Sequence, residues 1–283
     1  MVGERPPGRR WLPGLALGTL ALGGPLAAQR PGLTATAELG LGNRFHWRGI
    51  RAVDAPVAQG LLTVGATLGS LRLSGGTWGL AQLRRAGTGS ASLLPSGHRG
   101  LAELDLWSQV EGVFHQVELT AGFLYRNFER NPLLPQTSEL FARFEWVNPV
   151  LAPRVELWRD IDRLRGAYLE TALSRIIASP LPGAGVNLLV SLITGWSFDQ
   201  RRVSGQQPGV GAFTGDGPTH TELLAGLRLS PGKSAVIDLG AHFQASWDRT
   251  TRGLCASPPM QHACAGVWIS AATTLVLPGR ARP

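Results

Sequence analysis

The stretch LTATAELGLG, residues 33–42, decides how the chain is read. Leu33, Ala35, Ala37, Leu39 and Leu41 are apolar, while Thr34, Thr36, Glu38, Gly40 and Gly42 between them are polar or tiny. A period of two belongs to an extended strand with one oily and one wet face. The pattern, about ten residues and then a turn, returns as far as Leu277. Val117, Leu119, Ala121, Phe123 and Tyr125 oppose Glu118, Thr120, Gly122 and Arg126. Leu223, Ala225, Leu227 and Leu229 oppose Glu222, Gly226 and Arg228. Ile237, Leu239, Ala241 and Phe243 oppose Asp238, Gly240, His242 and Gln244.

About twelve strands are predicted, each near the 9–11 residues that cross a hydrocarbon layer at a tilt. Their centres fall near Ala37, Val64, Leu73, Leu106, Ala121, Phe144, Leu157, Leu169, Val190, Ala225, Leu239 and Ala271. The segments near Leu73 and Val190 alternate poorly. Connections alternate too: long links at 44–56, 84–97, 127–137, 198–219 and 248–262 are separated by short turns, the brief 160–165 excepted. Long loops outside and short periplasmic turns are the habit of outer-membrane barrels, and an even strand count leaves both termini in the periplasm.

Charged residues are 16% of the chain, against about 25% in ordinary soluble domains. A soluble barrel of the lipocalin type would turn the polar phase to water and need about 25–35% charge on its surface. Here that phase holds Gly, Ala, Thr and single charges. Trp146, Trp196 and Trp247, with Phe123 and Tyr125, sit at strand ends, as interfacial girdles do. The net charge of +8 is almost wholly arginine, Lys233 being the sole lysine. Those arginines are scattered among carboxylates, so no basic stripe forms and no nucleic-acid partner is expected.

Residues 1–29 have the form of a secretory signal peptide. Arg9 and Arg10 precede a short apolar run broken by Pro13, Gly18, Gly23 and Gly24, and small residues Ala27 and Ala28 follow. The run is short for an anchor helix of about 20 residues. Residues 30–283 then form one barrel domain in a bacterial outer membrane, a closed antiparallel all-β fold. In an oxidising compartment Cys255 and Cys264 are expected to pair as a loop disulfide.

The segment 43–60, NRFHWRGIRAVDAPVAQG, resembles the opening of the bacterial TorF family of porins. An aromatic-Arg-Gly-Ile core there precedes a Pro and a Gln-Gly pair, here Trp47, Arg48, Gly49, Ile50, Pro56, Gln59 and Gly60. The run from Asn148-Pro149 to Ala167-Tyr168-Leu169-Glu170 is similar to that family's middle region. The resemblance implies a twelve-strand-like outer-membrane barrel with a transport role, and no catalytic residues to carry over. Such barrels commonly end on an aromatic residue used by the assembly machinery, whereas this sequence ends on Pro278-Gly279-Arg280-Ala281-Arg282-Pro283. Partners expected are outer-membrane lipid, that machinery and small solutes.

With the polar phase inward, the expected lumen lining is Glu38, Arg44, His46, Arg48, Arg72, Glu103, Asp105, Glu118, Arg126, Arg143, Glu145, Glu156, Glu170, Glu222, Arg228, Asp238 and His242, with Glu139 and Arg154 beside them. Cross-strand acid–arginine pairs there either filter hydrated solutes or fill the interior as a plug. Twelve strands fall between barrels that fill themselves and barrels that hold a water channel. Arg44, His46 and Arg48 form a basic constriction near the outer mouth, or else an ordinary solvated loop. Asp160 and Asp162 serve a tight turn, or with Glu156 recruit a cation that would want 6–8 oxygens.

The favoured function is passive diffusion of small hydrophilic solutes or ions. A non-conducting structural or adhesive barrel that binds through its long loops, such as 198–219, is the alternative; a barrel hydrolase is the third class. His46, His98, His115, His220, His242 and His262 are scattered, without a Gly-x-Ser-x-Gly or His-Glu-x-x-His motif. No catalytic residue, cofactor or metal is therefore expected, His242 with Ser246 being the hydrolase candidate.

Overall fold

The computed structural model describes residues 33–84, 100–128, 136–148, 151–162, 166–178, 185–199, 213, 215–230, 235–248 and 264–277. The leader 1–29 lies outside them, as does the pairing of Cys255 with Cys264, whose backbone alone is described. Fourteen strands run along the described chain: β1 (Leu33–Gly42), β2 (Phe45–Trp47), β3 (Ile50–Val53), β4 (Val57–Leu68), β5 (Leu71–Gln82), β6 (Gly100–Phe114) and β7 (Val117–Phe128), followed by β8 (Thr137–Trp146), β9 (Ala152–Asp160), β10 (Ala167–Ala178), β11 (Val186–Phe198), β12 (Gly217–Leu229), β13 (Ala235–Ser246) and β14 (Cys264–Leu277).

From β4 to β14 each strand pairs antiparallel with the next. The ring closes because β1 pairs with β4 on one side and with β14 on the other. Closure leaves no edge among the twelve barrel strands, which an apolar surrounding requires of their backbone. Among the described residues no helix is long and apolar enough to cross a membrane.

The alternation sets which way each side chain points. Leu39, Leu119 and Leu239 are 71%, 44% and 40% exposed on the outer wall, while Glu38, Glu118 and Asp238 are 4%, 6% and 2% exposed within. This is the reverse of a soluble barrel. Trp146 and Trp247 are exposed near opposite ends, and their indole N–H groups donate to Gln116 Oε1 and Thr221 Oγ1 at 3.0 Å. An aromatic body with a satisfied polar tip suits an apolar–polar boundary.

The long link 44–56 departs from expectation. It holds β2 and β3, a hairpin pairing only with itself, and both strands are almost wholly buried. The hairpin folds into the barrel because Phe45, Trp47, Ile50 and Val53 are apolar and have an interior to enter. Inward aromatic and aliphatic side chains of the wall meet them: Trp78 and Leu80 on β5, Trp107 on β6, Leu124 on β7, Phe141 on β8 and Trp158 on β9. Phe45 packs on Trp78 with ring centroids 5.6 Å apart.

The interior thus has two halves. At the end bearing the long connections it is a packed core around the hairpin. At the tight-turn end it is lined by charge. β5 sends Trp78 and Leu80 inward against the hairpin, and β11 sends Leu189 and Ile193 inward, so near Leu73 and Val190 apolar residues occupy both phases.

Candidate functional site

The hairpin turns at Arg48 and Gly49, with φ of +49° and +83°. Two residues at positive φ form the primed turn that matches the twist of a two-residue hairpin. Gly49 is required twice over, since a Cβ there would lie 2.5 Å from His220 Cβ. Gly195 on β11 makes room beside it, because a Cβ at that position would meet the Tyr168 hydroxyl and the His220 ring.

The tip lies in the lumen between β13 on one side and β8, β9 and β10 on the other. Gly49 O accepts hydrogen bonds from Gln244 Nε2 at 2.6 Å and Ser246 Oγ at 2.9 Å. His46 Nδ1 lies 3.2 Å from Gln244 Oε1. Arg48 donates through both terminal nitrogens to Glu139, at 2.7 Å and 2.9 Å, and each side chain of that pair is 1% exposed. The Arg48 guanidinium carbon is 4.6 Å from the Tyr168 ring centre, 4.9 Å from Trp47 and 5.4 Å from Trp158. Glu139 also accepts from Arg126 Nε at 3.2 Å, and Arg126 Nη1 continues to Glu103 at 3.1 Å.

These contacts correct the expected basic constriction. Arg44 is half-exposed at the hairpin base and pairs with Asp54 at 2.9 Å. His46 and Arg48 stand on the inserted hairpin, not on the wall. Burial pushes the His46 imidazole down to about 3, with Arg51, Arg44 and His242 adding to the shift against the Gln244 hydrogen bond, so it is neutral. Of the three residues only Arg48 brings charge into the interior. The solvated-loop reading fails as well, because the apolar faces of β2 and β3 leave water.

Below the hairpin, charges form cross-strand pairs. Arg143 donates to Glu156 and Arg154 to Glu170, each at 2.7 Å. Arg228 grips Asp238 through two bonds at 2.8 and 2.9 Å, and His242 Nδ1 lies 2.7 Å from Glu222. Glu38, Glu103, Asp105, Glu111, Glu118, Glu145 and Arg72 also face the interior. Asp160 instead shapes the bend after β9, accepting from Thr137 Oγ1 and from the Asp162 N–H. Among the described residues no group of metal-ligating side chains is assembled. Ser246, the hydrolase candidate's nucleophile, is turned to Gly49 O, while His242 is turned to Glu222.

An apolar recess of about 510 Å³ lies on the outer wall, bordered by Leu71, Val110, Leu119, Phe144, Val155 and Leu157. These are outward-facing side chains of the apolar surface, and the polar chemistry lies on the other side of the wall.

Sequence alternation located the wall charges but missed the cage of Trp47, Trp158 and Tyr168 around Arg48. The available signal was aromatic residues on the polar phase of β6, β9 and β10, matched by Phe45 and Trp47 in a supposed loop. Gly49→Ala tests the tip directly. Strain at positive φ, about 1–3 kcal/mol, together with the His220 clash should lower the thermal midpoint and loosen the hairpin to proteolysis. Gly60→Ala, with nothing within 4 Å of the added Cβ, should not.

No family model matches the chain, and no curated protein is significantly similar to it. Among solved structures it is similar to the COG4313 outer membrane channel from Pseudomonas putida F1, at a TM-score of 0.47 and 10% identity over 90% of this chain and 99% of that one. It is similar to the outer-membrane expressed OmpT of Vibrio cholerae, at 0.37 and 9% identity over 89% and 99% of the two chains. The translocator domain of the autotransporter NalP from Neisseria meningitidis gives 0.39 and 10% identity over 87% and 89%. With all three scores below 0.5, the functional reading rests on this chain's own residues.

Proposed function

We propose that this chain is an exported, porin-like barrel of a bacterial outer membrane that passes small hydrophilic solutes or ions through a charged lumen. Its inserted hairpin is the closed gate. The observation that carries the reading is the inverted wall, with leucines outside and carboxylates and arginines inside. Such a wall lowers its free energy in lipid while keeping a polar path through the middle. The resemblance of segment 43–60 to the TorF family agrees with it. The hairpin tip is held by hydrogen bonds to β13 and one ion pair to β8, contacts that can break and re-form, while its apolar side chains pack against those of the wall.

Planar-bilayer recording tests the reading. Full-length barrel should give rare or small current steps, and a variant with residues 45–53 replaced by a short Gly-Ser link should give larger, long-lived ones. Silence from that shortened variant, with a folded barrel shown by a shift in gel mobility on boiling, would overturn the proposal. The non-conducting barrel that binds through its outer loops would then be the better reading.

A further inference from the structure

The hairpin tip occupies a cavity whose chemistry matches its side chain closely. Glu139 offers two oxygens in the plane of the guanidinium, a fork-to-fork geometry that a planar cation fits and a round one does not. Tyr168 and Trp158 supply ring faces 4.6 and 5.4 Å from the guanidinium carbon. Each element is held by something other than Arg48. Arg126 orients Glu139 through a 3.2 Å bond. Phe141 stacks on Trp158 with centroids 4.6 Å apart, and Phe213 stacks on Tyr168 at 5.9 Å. The wall therefore keeps its arrangement of carboxylate and two rings when the tip withdraws, and only the Trp47 face leaves with it.

We infer that this cage is a binding site for guanidinium-bearing cations, which the chain's own Arg48 fills in the closed state. A solute carrying a guanidinium group competes with the tip for Glu139, so the hairpin acts as a tethered ligand as well as a gate. The surrounding field favours the same class. Among the described barrel-strand residues that face inward the arginines are Arg72, Arg126, Arg143, Arg154 and Arg228, with Arg48 and Arg51 added by the hairpin, whereas inward carboxylates stand on every described barrel strand except β4, β5 and β11, β14 side chains aside. Among the described residues of the barrel strands the interior thus carries more carboxylates than arginines, although the whole chain has a net charge of +8. Rings of carboxylates concentrate cations. The inference rests on the channel reading for how a solute arrives, and on the cage alone for binding.

Chemical rescue tests it. Arg48→Ala barrel in detergent micelles should melt below the wild type. Millimolar methylguanidinium chloride should raise its melting temperature by a few degrees, as expected when ligand exceeds its dissociation constant about tenfold. Methylammonium, urea and sodium chloride at equal concentration should not do so. Neither wild type, whose cage is full, nor Arg48→Ala/Glu139→Gln, whose fork is broken, should respond. Equal effects of the four solutes, or none, would overturn the inference.

Where Arg48→Ala does not fold, Gln244→Ala/Ser246→Ala keeps Arg48 and loosens the tip. Methylguanidinium should then speed chymotrypsin cleavage at Phe45 or Trp47, and an unchanged cleavage rate would equally overturn it. Rescue combined with a silent hairpin-less barrel would remove the transport reading and leave the site standing.

Discussion

Glu139→Ala is expected to destabilise the barrel by about 3–5 kcal/mol, the cost of leaving a buried ion without its partner. Among the described residues Glu139 is the carboxylate that bonds both Arg48 and Arg126. Removing it leaves Arg48 with three ring faces and no anion, while Arg126 keeps Glu103 at 3.1 Å. The lost bonds are charge-assisted, 2.7–3.2 Å long and removed from water. Glu139→Gln, of nearly the same shape, should lie between the wild type and the alanine variant. Arg48→Met/Glu139→Leu separates the worth of the pair from the penalty of breaking it. A near-neutral double variant beside a damaged single would show that the pair places the tip more than it stabilises the fold. Urea unfolding followed by tryptophan fluorescence supplies the numbers, with equal m-values as the check that one transition is compared. A Glu139→Ala barrel as stable as wild type would show that the hairpin does not dock as described.

Leu239→Arg should cost about 2–4 kcal/mol in phospholipid vesicles, the penalty for a cation on the lipid face near the bilayer midplane. Leu239 is near the middle of β13, opposite Leu227 on β12 and Ala271 on β14, and it points outward. On a protein surrounded by water the same change at an exposed site would fall within about 0.5 kcal/mol of neutral. The two environments therefore predict different results for one substitution. Leu239→Ala controls for lost packing and should cost less than the arginine variant. Folding yield across a urea series in vesicles gives the comparison. A neutral Leu239→Arg would remove the membrane from the account of this fold.

The barrel was legible because a strand's period is fixed by backbone geometry. In segments such as 117–126 and 235–246, alternate residues must face opposite sides, so Glu118 with Arg126 and Asp238 with His242 belong inside whatever strands they pair with. The twelve barrel strands stand where that periodicity puts them. What alternation does not encode is whether the inner face meets water or protein. Trp158 and Tyr168 sit on the phase that carries Glu156 and Glu170, and only their closeness to Phe45, Trp47 and Ile50 explains why aromatics belong there.

The site was half legible for a related reason. Arg48 and Glu139 are 91 residues apart, and nothing local ties one to the other. Their pairing needs the ring to close through β1 and β14, the hairpin to turn inward and β8 to stand across from it. Gln244 and Ser246, which accept no role from any motif, become hairpin holders for the same reason: the lumen brings them to Gly49 O.

Local chemistry is enough to settle which residues extend, which turn and which side of the wall each one takes, because those follow from sterics and transfer free energy over a few neighbours. The contents of the lumen are a non-local matter. A hairpin of apolar residues enters the barrel only when closure has made a space whose walls complement it, and that complementarity resides in contacts between strands distant along the chain.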